Sequence, residues 1–204
     1  MICHRLKCIF IHIPRTAGSS IEKWICGDDW WNIEPQTKHL IASVAKDIYK
    51  EYWDSYFKFS FVRDPVERVV SCLKHKEHFG ISISDSNDLD FSVYNEMFGP
   101  GVILEFDRRF YKRENIIRQK HITHAVYSNI LDEPMDFIGK YENLKCDLFY
   151  LGKVLGLDEE FSCRLEASEA KIAKNSLSLT SLRTIYSLYE CDYERFEYKI
   201  PTLI

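Results

Sequence analysis

The chain has 204 residues, of which 46% are hydrophobic and 28% charged, so it is long enough for one substantial core and short for two. Its 27 basic and 31 acidic residues give a formal net charge of −4, which argues against a nucleic-acid binder. No apolar run approaches the roughly 18 residues that a membrane span needs, and the N-terminal residues lack the apolar core of a signal peptide. The sequence therefore predicts one cytoplasmic domain over residues 1–204, without a membrane span.

The first structural signal is a short apolar stretch from Cys8 to Ile13, typical of a strand buried on both faces in a parallel sheet. The loop at 14–20 follows, in which Gly18 permits a close backbone approach and Ser19 or Ser20 can cap the helix that begins after them. Strand, loop and helix N-terminus in this order form an anion site, because unpaired amides and the positive end of the helix dipole point the same way. An ordinary capped turn is the alternative.

Further strands and helices follow in alternation. The pattern predicts a second short strand at Trp30 to Ile33 and then a helix that runs through Asp47 to Tyr56. Phe57 to Val62 is predicted as a strong strand. Arg63, Asp64 and Pro65 come directly after it, so the arrangement of strand, sharp turn and helix recurs.

The helix that begins at Pro65 has two distinct faces. Its core stripe has the i, i+3, i+4, i+7 spacing and consists of Val66, Val69, Val70 and Leu73. Ser71 falls outside that stripe, about two turns into the helix and eight residues after Arg63. A ligand that lies along the start of this helix is therefore expected to touch both Arg63 and Ser71.

Two polar regions follow this helix. Residues 80–100 are rich in turn formers and indicate a long surface insertion. The run at 108–121 carries six Lys or Arg against one Glu, in a chain that is acidic overall. Such a run is usually a solvated helix face, and it is also the best place in this sequence for an anionic acceptor to dock.

Metal and disulfide sites are not predicted. The pairs His75 and His78, and His121 and His124, each place two imidazoles three residues apart without a third ligand nearby in sequence. The seven cysteines are odd in number, scattered and free of any Cys-x-x-Cys pair, which indicates buried reduced thiols.

The last third of the chain predicts one more strand at Asp136 to Glu142 and then a helix that Asn143 caps and Gly156 ends. A final helix is predicted near residues 181–198. Strands separated by helices indicate an α/β fold with a mostly parallel central sheet flanked by helices. Ligands of such sheets bind beyond the carboxyl ends of the strands.

Two strand-loop-helix anion sites thus occur in one chain, "PRTAGSS" at 14–20 and "FVRDPVER" at 61–68 with Ser71. Together with "KHL" at 38–40 and "DFIGKYENLKCDLFYLGKVLGL" at 136–157, these segments follow a familiar order over nearly the whole chain. The chain resembles the sulfotransferases that use 3′-phosphoadenosine 5′-phosphosulfate. It is most similar to the branch that contains carbohydrate 2-O-sulfotransferases and their small bacterial relatives. The resemblance implies a P-loop-like sulfotransferase fold.

The resemblance implies two halves of a donor site. The amides of the first loop and its hydroxyls would hold the 5′-phosphosulfate, whereas Arg63 and Ser71 would hold the 3′-phosphate. A late loop with Lys174 and Asn175 would close over the nucleotide. The expected donor-binding residues are Arg15, Thr16, Ala17, Gly18, Ser19, Ser20, Arg63, Ser71, Lys174 and Asn175.

The resemblance also implies two catalytic residues. His39 occupies the position of the base that would take the proton of the acceptor, an alcohol or an amine. Arg15 stands where most relatives have Lys. It keeps the positive charge but is effectively never deprotonated, so it would stabilise the leaving group without donating a proton. The expected acceptor is a saccharide or another hydroxyl-bearing small molecule, and no metal is expected.

Two other functions stay open. A small-molecule kinase would also bind phosphate at a strand-loop-helix site, but its Gly-Lys-Ser/Thr ending and its metal-binding carboxylate are not visible. A catalytically weak nucleotide-binding protein of the same fold is the other alternative. Arg15 hints at it, whereas His39 argues against it because binding alone needs no base.

Overall fold

Three of the four strands of the central sheet come from segments that the sequence predicts as strands, and the short first strand is not among the predicted ones. The computed structural model describes residues 1–74, 82–84, 88–90, 126–157, 161 and 177–200. Strand β1 (Ile2–Cys3) pairs antiparallel with β2 (Cys8–Ile11). Strands β2, β3 (Phe57–Val62) and β6 (Phe137–Lys140) are parallel neighbours in that order. The prediction of an α/β fold with a mostly parallel sheet is confirmed.

Helices fill the connections between these strands. In the described residues they are α1 (Gly18–Cys26), α2 (Trp30–Ile33), α3 (Ala42–Ile48), α4 (Pro65–Lys74), α5 (Tyr127–Ile130), α6 (Leu144–Leu155), α7 (Leu179–Leu188) and α8 (Glu190–Arg195). A separate antiparallel pair joins β4 (Ser82–Ile83) to β5 (Leu89–Asp90). None of the helices described here has the length and apolar character needed to cross a membrane.

Side-chain alternation along β2 divides the core into two layers. Ile9 and Ile11 point to one face, where Leu40, Trp53 and Tyr127 are among their packing partners. Cys8 and Phe10 point to the other face, where they pack with residues of α1 and α6 such as Ile21, Ile25, Leu148 and Leu151. All four β2 side chains are at most 1% exposed, so the predicted strand buried on both faces is confirmed.

A third apolar cluster attaches α4 to the C-terminal helices. Val66, Val69 and Val70 are buried, as the predicted stripe requires. They pack with residues from α7 and α8, including Ile185 and Tyr193. This packing fixes the orientation of α4, and therefore of its polar residues, relative to the sheet.

The parallel strands bring three loops to one edge of the sheet. Ile11 of β2 lies opposite Ser60 of β3, and Val62 of β3 lies opposite Lys140 of β6. The residues that directly follow the three strands therefore meet at the carboxyl edge, where open α/β sheets bind their ligands. This edge holds both predicted anion sites.

Two sequence predictions near this edge are wrong. The segment Trp30–Ile33 is helix α2 rather than a strand, because the carboxylate of Asp29 accepts a hydrogen bond from the Trp31 amide at 2.9 Å and caps a helical turn. Helix α1 begins at Gly18, and Ala17 in the left-handed conformation precedes it. Ser19 and Ser20 therefore lie in the first turn of the helix and do not cap it.

Other boundaries also differ from the predicted ones. Helix α3 ends at Ile48, and hydrogen-bonded turns replace the predicted helix up to Tyr56. The predicted last helix is divided between α7 and α8, with Tyr189 between them. Asn143 makes no capping bond and instead donates to Asp147 at 2.7 Å. Gly156 ends α6 in the left-handed conformation, as predicted.

Substitution of Gly139 by Ala is expected to destabilise the sheet. A Cβ atom there would lie 2.3 Å from Cε1 of Phe61, so the ring has to move, and we expect a loss of about 1–3 kcal/mol in the free energy of unfolding. Urea denaturation of Gly139→Ala, Phe61→Leu and the double variant measures the effect. Because leucine leaves space for the new methyl group, the double variant should lose less free energy of unfolding than the two single variants lose together. Additive losses would show that the contact with Phe61 is not the cause.

Candidate active site

The loop between β2 and α1 has the backbone of an anion-binding loop. Arg15 and Ala17 adopt the left-handed conformation, with φ of 70° and 69°. The Ala17 carbonyl accepts the first bonds of the helix, from the amides of Ser20 and Ile21. The earlier amides of this turn have no intrahelical acceptor, and left-handed residues in such a turn aim successive amides at one point. The amides of residues 16–19 could therefore form the expected cradle, whereas the amide of Ser20, which was also expected to take part, is already bonded to Ala17.

Gly18 and Thr16 serve the loop itself. A Cβ atom at Gly18 would lie 2.0 Å from the ring of His12, so the close approach expected of this glycine is made to a histidine ring of the protein. Thr16 is fully buried, and its hydroxyl donates to the Ile13 carbonyl at 2.8 Å. Thr16 therefore offers an anion its amide, whereas its hydroxyl hydrogen is already used.

A buried ion cluster lies beneath this loop; we call its members His12, Glu22, Asp29 and Lys38 the Glu22 cluster. One carboxylate oxygen of Glu22 lies 2.6 Å from Nδ1 of His12, and the other accepts from Nζ of Lys38 at 2.7 Å and from the Trp30 amide at 3.2 Å. Lys38 also donates to Asp29 and, at 3.2 Å, to Oγ of Ser19. The cluster thus joins β2, α1, α2 and the segment before α3.

The charges of the cluster compensate one another. Glu22 is 0% exposed and Lys38 is 1% exposed. Burial alone would raise the pKa of Glu22, but the facing His12 and Lys38 outweigh burial and lower that pKa to about 2. Lys38 has three N–H donors, and Glu22, Asp29 and Ser19 accept one each.

The predicted base, His39, is held directly above this cluster. Its Nδ1 lies 3.1 Å from the His12 carbonyl oxygen, which only accepts, so Nδ1 carries the hydrogen and Nε2 keeps a free lone pair. Burial, followed by the charge at His12, lowers the pKa of His39 well below 6.5. The rings of His12 and Trp31 pack against it, with centroids 4.4 Å and 5.7 Å away. His39 is therefore a neutral imidazole able to accept a proton at neutral pH.

The second loop, after β3, holds Arg63 by its backbone and leaves part of its side chain available. The Tyr127 hydroxyl donates to the Arg63 carbonyl at 2.6 Å and lies 3.2 Å from its amide. The guanidinium stacks 4.0 Å from the ring of Tyr141 and lies 3.5 Å from the Glu67 carboxylate. Among the described residues its buried Nε has no hydrogen-bond partner. A charged donor without a partner at this edge suits an anionic ligand.

A hydrogen bond connects the two predicted anion sites. Nε of Arg15, in the first loop, donates to Oγ of Ser71, in α4, at 3.1 Å. Ser71 is only 5% exposed, so its hydroxyl lies at the inner wall of the site rather than on an open helix face. The structure thus brings Arg15, Ser19, Ser71 and His39 to the carboxyl edge of the sheet. Lys174 and Asn175, the basic run at 108–121 and the two histidine pairs lie outside the described residues.

Comparison with known proteins identifies the family of this chain. A model of the sulfotransferase family matches residues 1–199. The chain belongs to the sulfotransferase family. The resemblance that the motifs indicate is confirmed at this level, and the alternative of a kinase is disfavoured.

Curated proteins similar to this chain include several carbohydrate sulfotransferases. Carbohydrate sulfotransferase 9 of Homo sapiens is 27% identical over 200 residues, which are 81% of this chain and 42% of that protein. Carbohydrate sulfotransferase 10 of Danio rerio is 21% identical over 251 residues, with 100% of this chain and 67% of that protein covered. Carbohydrate sulfotransferase 11 of Danio rerio is 25% identical, with 74% of this chain and 49% of that protein covered. The chain thus spans 42% to 67% of the length of these relatives. No solved structure matches it.

Sequence reasoning missed most of the Glu22 cluster. In the sequence Lys38 stands out only through its place beside His39, and Glu22 and Asp29 resemble ordinary surface acids of a short helix and a turn. One signal was present: Glu22 lies directly beside Ile21 and one turn before the buried Ile25, at the border of the apolar stripe of α1. Its partner Lys38 lies 16 residues later in sequence, so no local pattern joins the two.

Glu22→Gln should destabilise the protein at neutral pH by about 3–5 kcal/mol, because it leaves buried Lys38 without its main counter-charge. The pKa of Glu22 is lowered on folding from 4.5 to about 2, so its contribution is complete above pH 4.5 and is lost as the pH falls towards 2. The variant should lack that part of the acid-induced loss of stability. Urea denaturation from pH 7 to pH 3 measures both effects.

Glu133→Gln is the matched control, since Glu133 pairs with Lys46 at 2.8 Å on the surface. We expect it to change stability far less than Glu22→Gln and to keep the wild-type dependence on pH. If the two substitutions have equal effects, the Glu22 cluster does not carry the stability assigned to it.

Proposed function

We propose that this protein transfers a sulfuryl group from 3′-phosphoadenosine 5′-phosphosulfate to a hydroxyl group of a carbohydrate. The observation that carries the proposal is the pair of anion sites at one sheet edge, joined by the bond from Arg15 to Ser71 at 3.1 Å and accompanied by a neutral histidine. Family membership supports sulfuryl transfer. The donor and the acceptor class are proposals that this geometry and the relatives' names support.

Two separated anionic groups on one ligand account for two anion sites. The amides at the start of α1, with Arg15 and Ser19, suit the phosphosulfate end. Arg63 and Ser71 suit the 3′-phosphate, which simple adenine nucleotides lack. The partnerless Nε of Arg63 fits this assignment because a buried donor favours a ligand that supplies an acceptor.

His39 has the protonation state that the reaction needs. Its Nε2 accepts the proton of the acceptor hydroxyl as that oxygen bonds to sulfur and the bond from sulfur to the bridging phosphate oxygen breaks. The electron pair of the broken bond stays on 3′-phosphoadenosine 5′-phosphate, and the proton from the acceptor stays on Nε2 of His39 until it passes to solvent. Before the transfer, the bond from Nδ1 to the His12 carbonyl keeps the ring hydrogen on Nδ1 and the lone pair on Nε2.

Arg15 stabilises the charge that develops on the bridging oxygen. Its guanidinium stays protonated and its Nε is already fixed by Ser71, so it is oriented before the donor arrives. Preorganised charge of this kind acts on the transition state without a reorganisation cost. The amides of the α1 N-terminus add positive potential on the same side.

A carbohydrate is the proposed acceptor class because the similar curated proteins are carbohydrate sulfotransferases. Trp31, partly exposed beside His39, provides an aromatic surface next to the proposed base. A catalytically weak nucleotide-binding protein would bind the same donor but transfer nothing. Turnover therefore separates these two functions, and donor binding alone does not.

The wild-type protein should bind 3′-phosphoadenosine 5′-phosphate at least about 10-fold more tightly than ADP, since a charge-assisted bond is worth about 1.5–3 kcal/mol. Arg63→Ala should weaken binding of the first nucleotide by about 10- to 100-fold and leave ADP nearly unaffected. Calorimetric titration measures all four affinities.

Arg5→Ala is the control for loss of an arginine, because Arg5 lies in the turn between β1 and β2, at the opposite edge of the sheet. It should bind both nucleotides as the wild type does. Equal affinity of the wild type for the two nucleotides would refute a 3′-phosphate site at Arg63.

His39→Ala should lower kcat by about 10²- to 10⁴-fold, the usual contribution of a general base, and should retain affinity for 3′-phosphoadenosine 5′-phosphate. Transfer from labelled donor to a panel of neutral and acidic saccharides provides the assay. In the wild type, kcat/KM should fall only at pH values well below 6.5, because His39 must be neutral to accept a proton and its pKa is lowered.

His4→Ala is the matched control, since the exposed His4 contacts Tyr56 at the far edge of the sheet. It should leave turnover unchanged. Wild-type activity in His39→Ala would exclude His39 as the base, and binding without transfer to any saccharide would favour the catalytically weak alternative.

A further inference from the structure

We propose that Lys38 is a positioning residue that fixes His39 relative to the donor loop, and that Asp29 holds Lys38 in place for this purpose. The inference rests on the proposed function, since it concerns the alignment of the proposed base with the proposed donor site. It assigns a purpose to the cation of the Glu22 cluster, which contacts neither reacting group directly.

Lys38 connects the two parts of the site through the main chain and the side chain. Its backbone continues directly into His39. Its Nζ, four methylene groups away, donates to Oγ of Ser19 in the first turn of α1 at 3.2 Å. One residue thus joins the segment that carries the base to the helix whose N-terminus faces the donor.

The other two donors of Lys38 prevent it from moving. Nζ donates to Glu22 at 2.7 Å and to Asp29, and the side chain is 1% exposed. Charge-assisted hydrogen bonds at low exposure are strong and directional. Because three hydrogen bonds hold its ammonium group, Lys38 fixes the position of residue 39 relative to α1.

His12 completes the connection from the opposite side. The His12 carbonyl accepts a hydrogen bond from Nδ1 of His39 at 3.1 Å. Nδ1 of His12 itself lies 2.6 Å from the Glu22 carboxylate, and the His12 ring fills the space beside Gly18. Both neighbours of the base, Lys38 and His12, are thus bound to the same carboxylate. Reacting groups must be held to within about half an ångström for efficient transfer, and a misplacement of about 1 Å costs about 100-fold in rate.

Asp29 provides a test that leaves the cluster charged and buried. Its side chain is 19% exposed, it caps α2, and asparagine caps helices equally well. Asp29→Asn keeps an oxygen at this position but removes its negative charge, so it weakens the hold on Lys38 on one side, while Glu22 still compensates the ammonium charge. This variant is informative even if Lys38→Met fails to fold.

The test compares Lys38→Met, Asp29→Asn and His39→Ala with double variants that combine each of the first two with the third. We expect kcat to fall about 100-fold in Lys38→Met and about 5- to 10-fold in Asp29→Asn, with affinity for 3′-phosphoadenosine 5′-phosphate changed less than about threefold. In the His39→Ala background neither substitution should lower kcat by more than about twofold, because a misplaced base matters only when the base is present.

Lys46→Met, which removes an exposed lysine from its pair with Glu133, is the control and should match the wild type in kcat. A merely structural role for Lys38 would lower kcat by the same factor with and without His39, and would weaken nucleotide binding in parallel. Either result, or unchanged kcat in Asp29→Asn, overturns the inference and leaves the proposed function intact. A wild type that binds the nucleotide and transfers no sulfuryl group overturns the proposed function and the inference together.

Discussion

The geometry of the site depends on one buried carboxylate, that of Glu22. An ionised group that is 0% exposed is tolerated only when it is paired and fully hydrogen-bonded, and Glu22 meets this condition with His12 on one oxygen and Lys38 on the other. If either partner moved away, the Glu22 carboxylate would be an unpaired charge in an apolar interior. The donor loop and the segment of the base are therefore held by an electrostatic requirement as well as by packing.

The parallel sheet supplies the second constraint. Strands β2, β3 and β6 deliver three loops to one edge, and packing of α4 against the C-terminal helices sets how far Ser71 projects towards that edge. The hydrogen bond from Arg15 to Ser71 then joins the two anion sites before any ligand is bound. Preorganisation of this kind reduces the entropy that is lost when an anionic ligand binds, because Arg15 and Ser71 already hold each other in place.

Elements set by local patterns could be predicted from the sequence, and elements set by distant contacts could not. The alternation of β2, the stripe of α4 and the glycine at 156 follow from periodicity and from the left-handed C-cap. Helix α2 has only four residues, three of them apolar, which is too short for a periodic pattern, and its first turn depends on the cap from Asp29. The motifs indicate Arg63, Ser71 and His39 through a family resemblance. The role of Glu22 could not be predicted, because its partner Lys38 comes from a later, separate segment.

The arginine at position 15 is compatible with the proposed chemistry, because the leaving group needs charge rather than a proton. A phosphate monoester has a second pKa of about 6, so the 5′-phosphate of the product is stable as a dianion at neutral pH. Neither cation near the loop is suited to protonate it: Arg15 effectively never loses a proton, and Lys38 already has an acceptor for each of its three hydrogens. In the proposed reaction Arg15 acts through its fixed positive charge, whereas Lys38 acts by holding His39 in place, so arginine instead of lysine at position 15 preserves what that reaction uses.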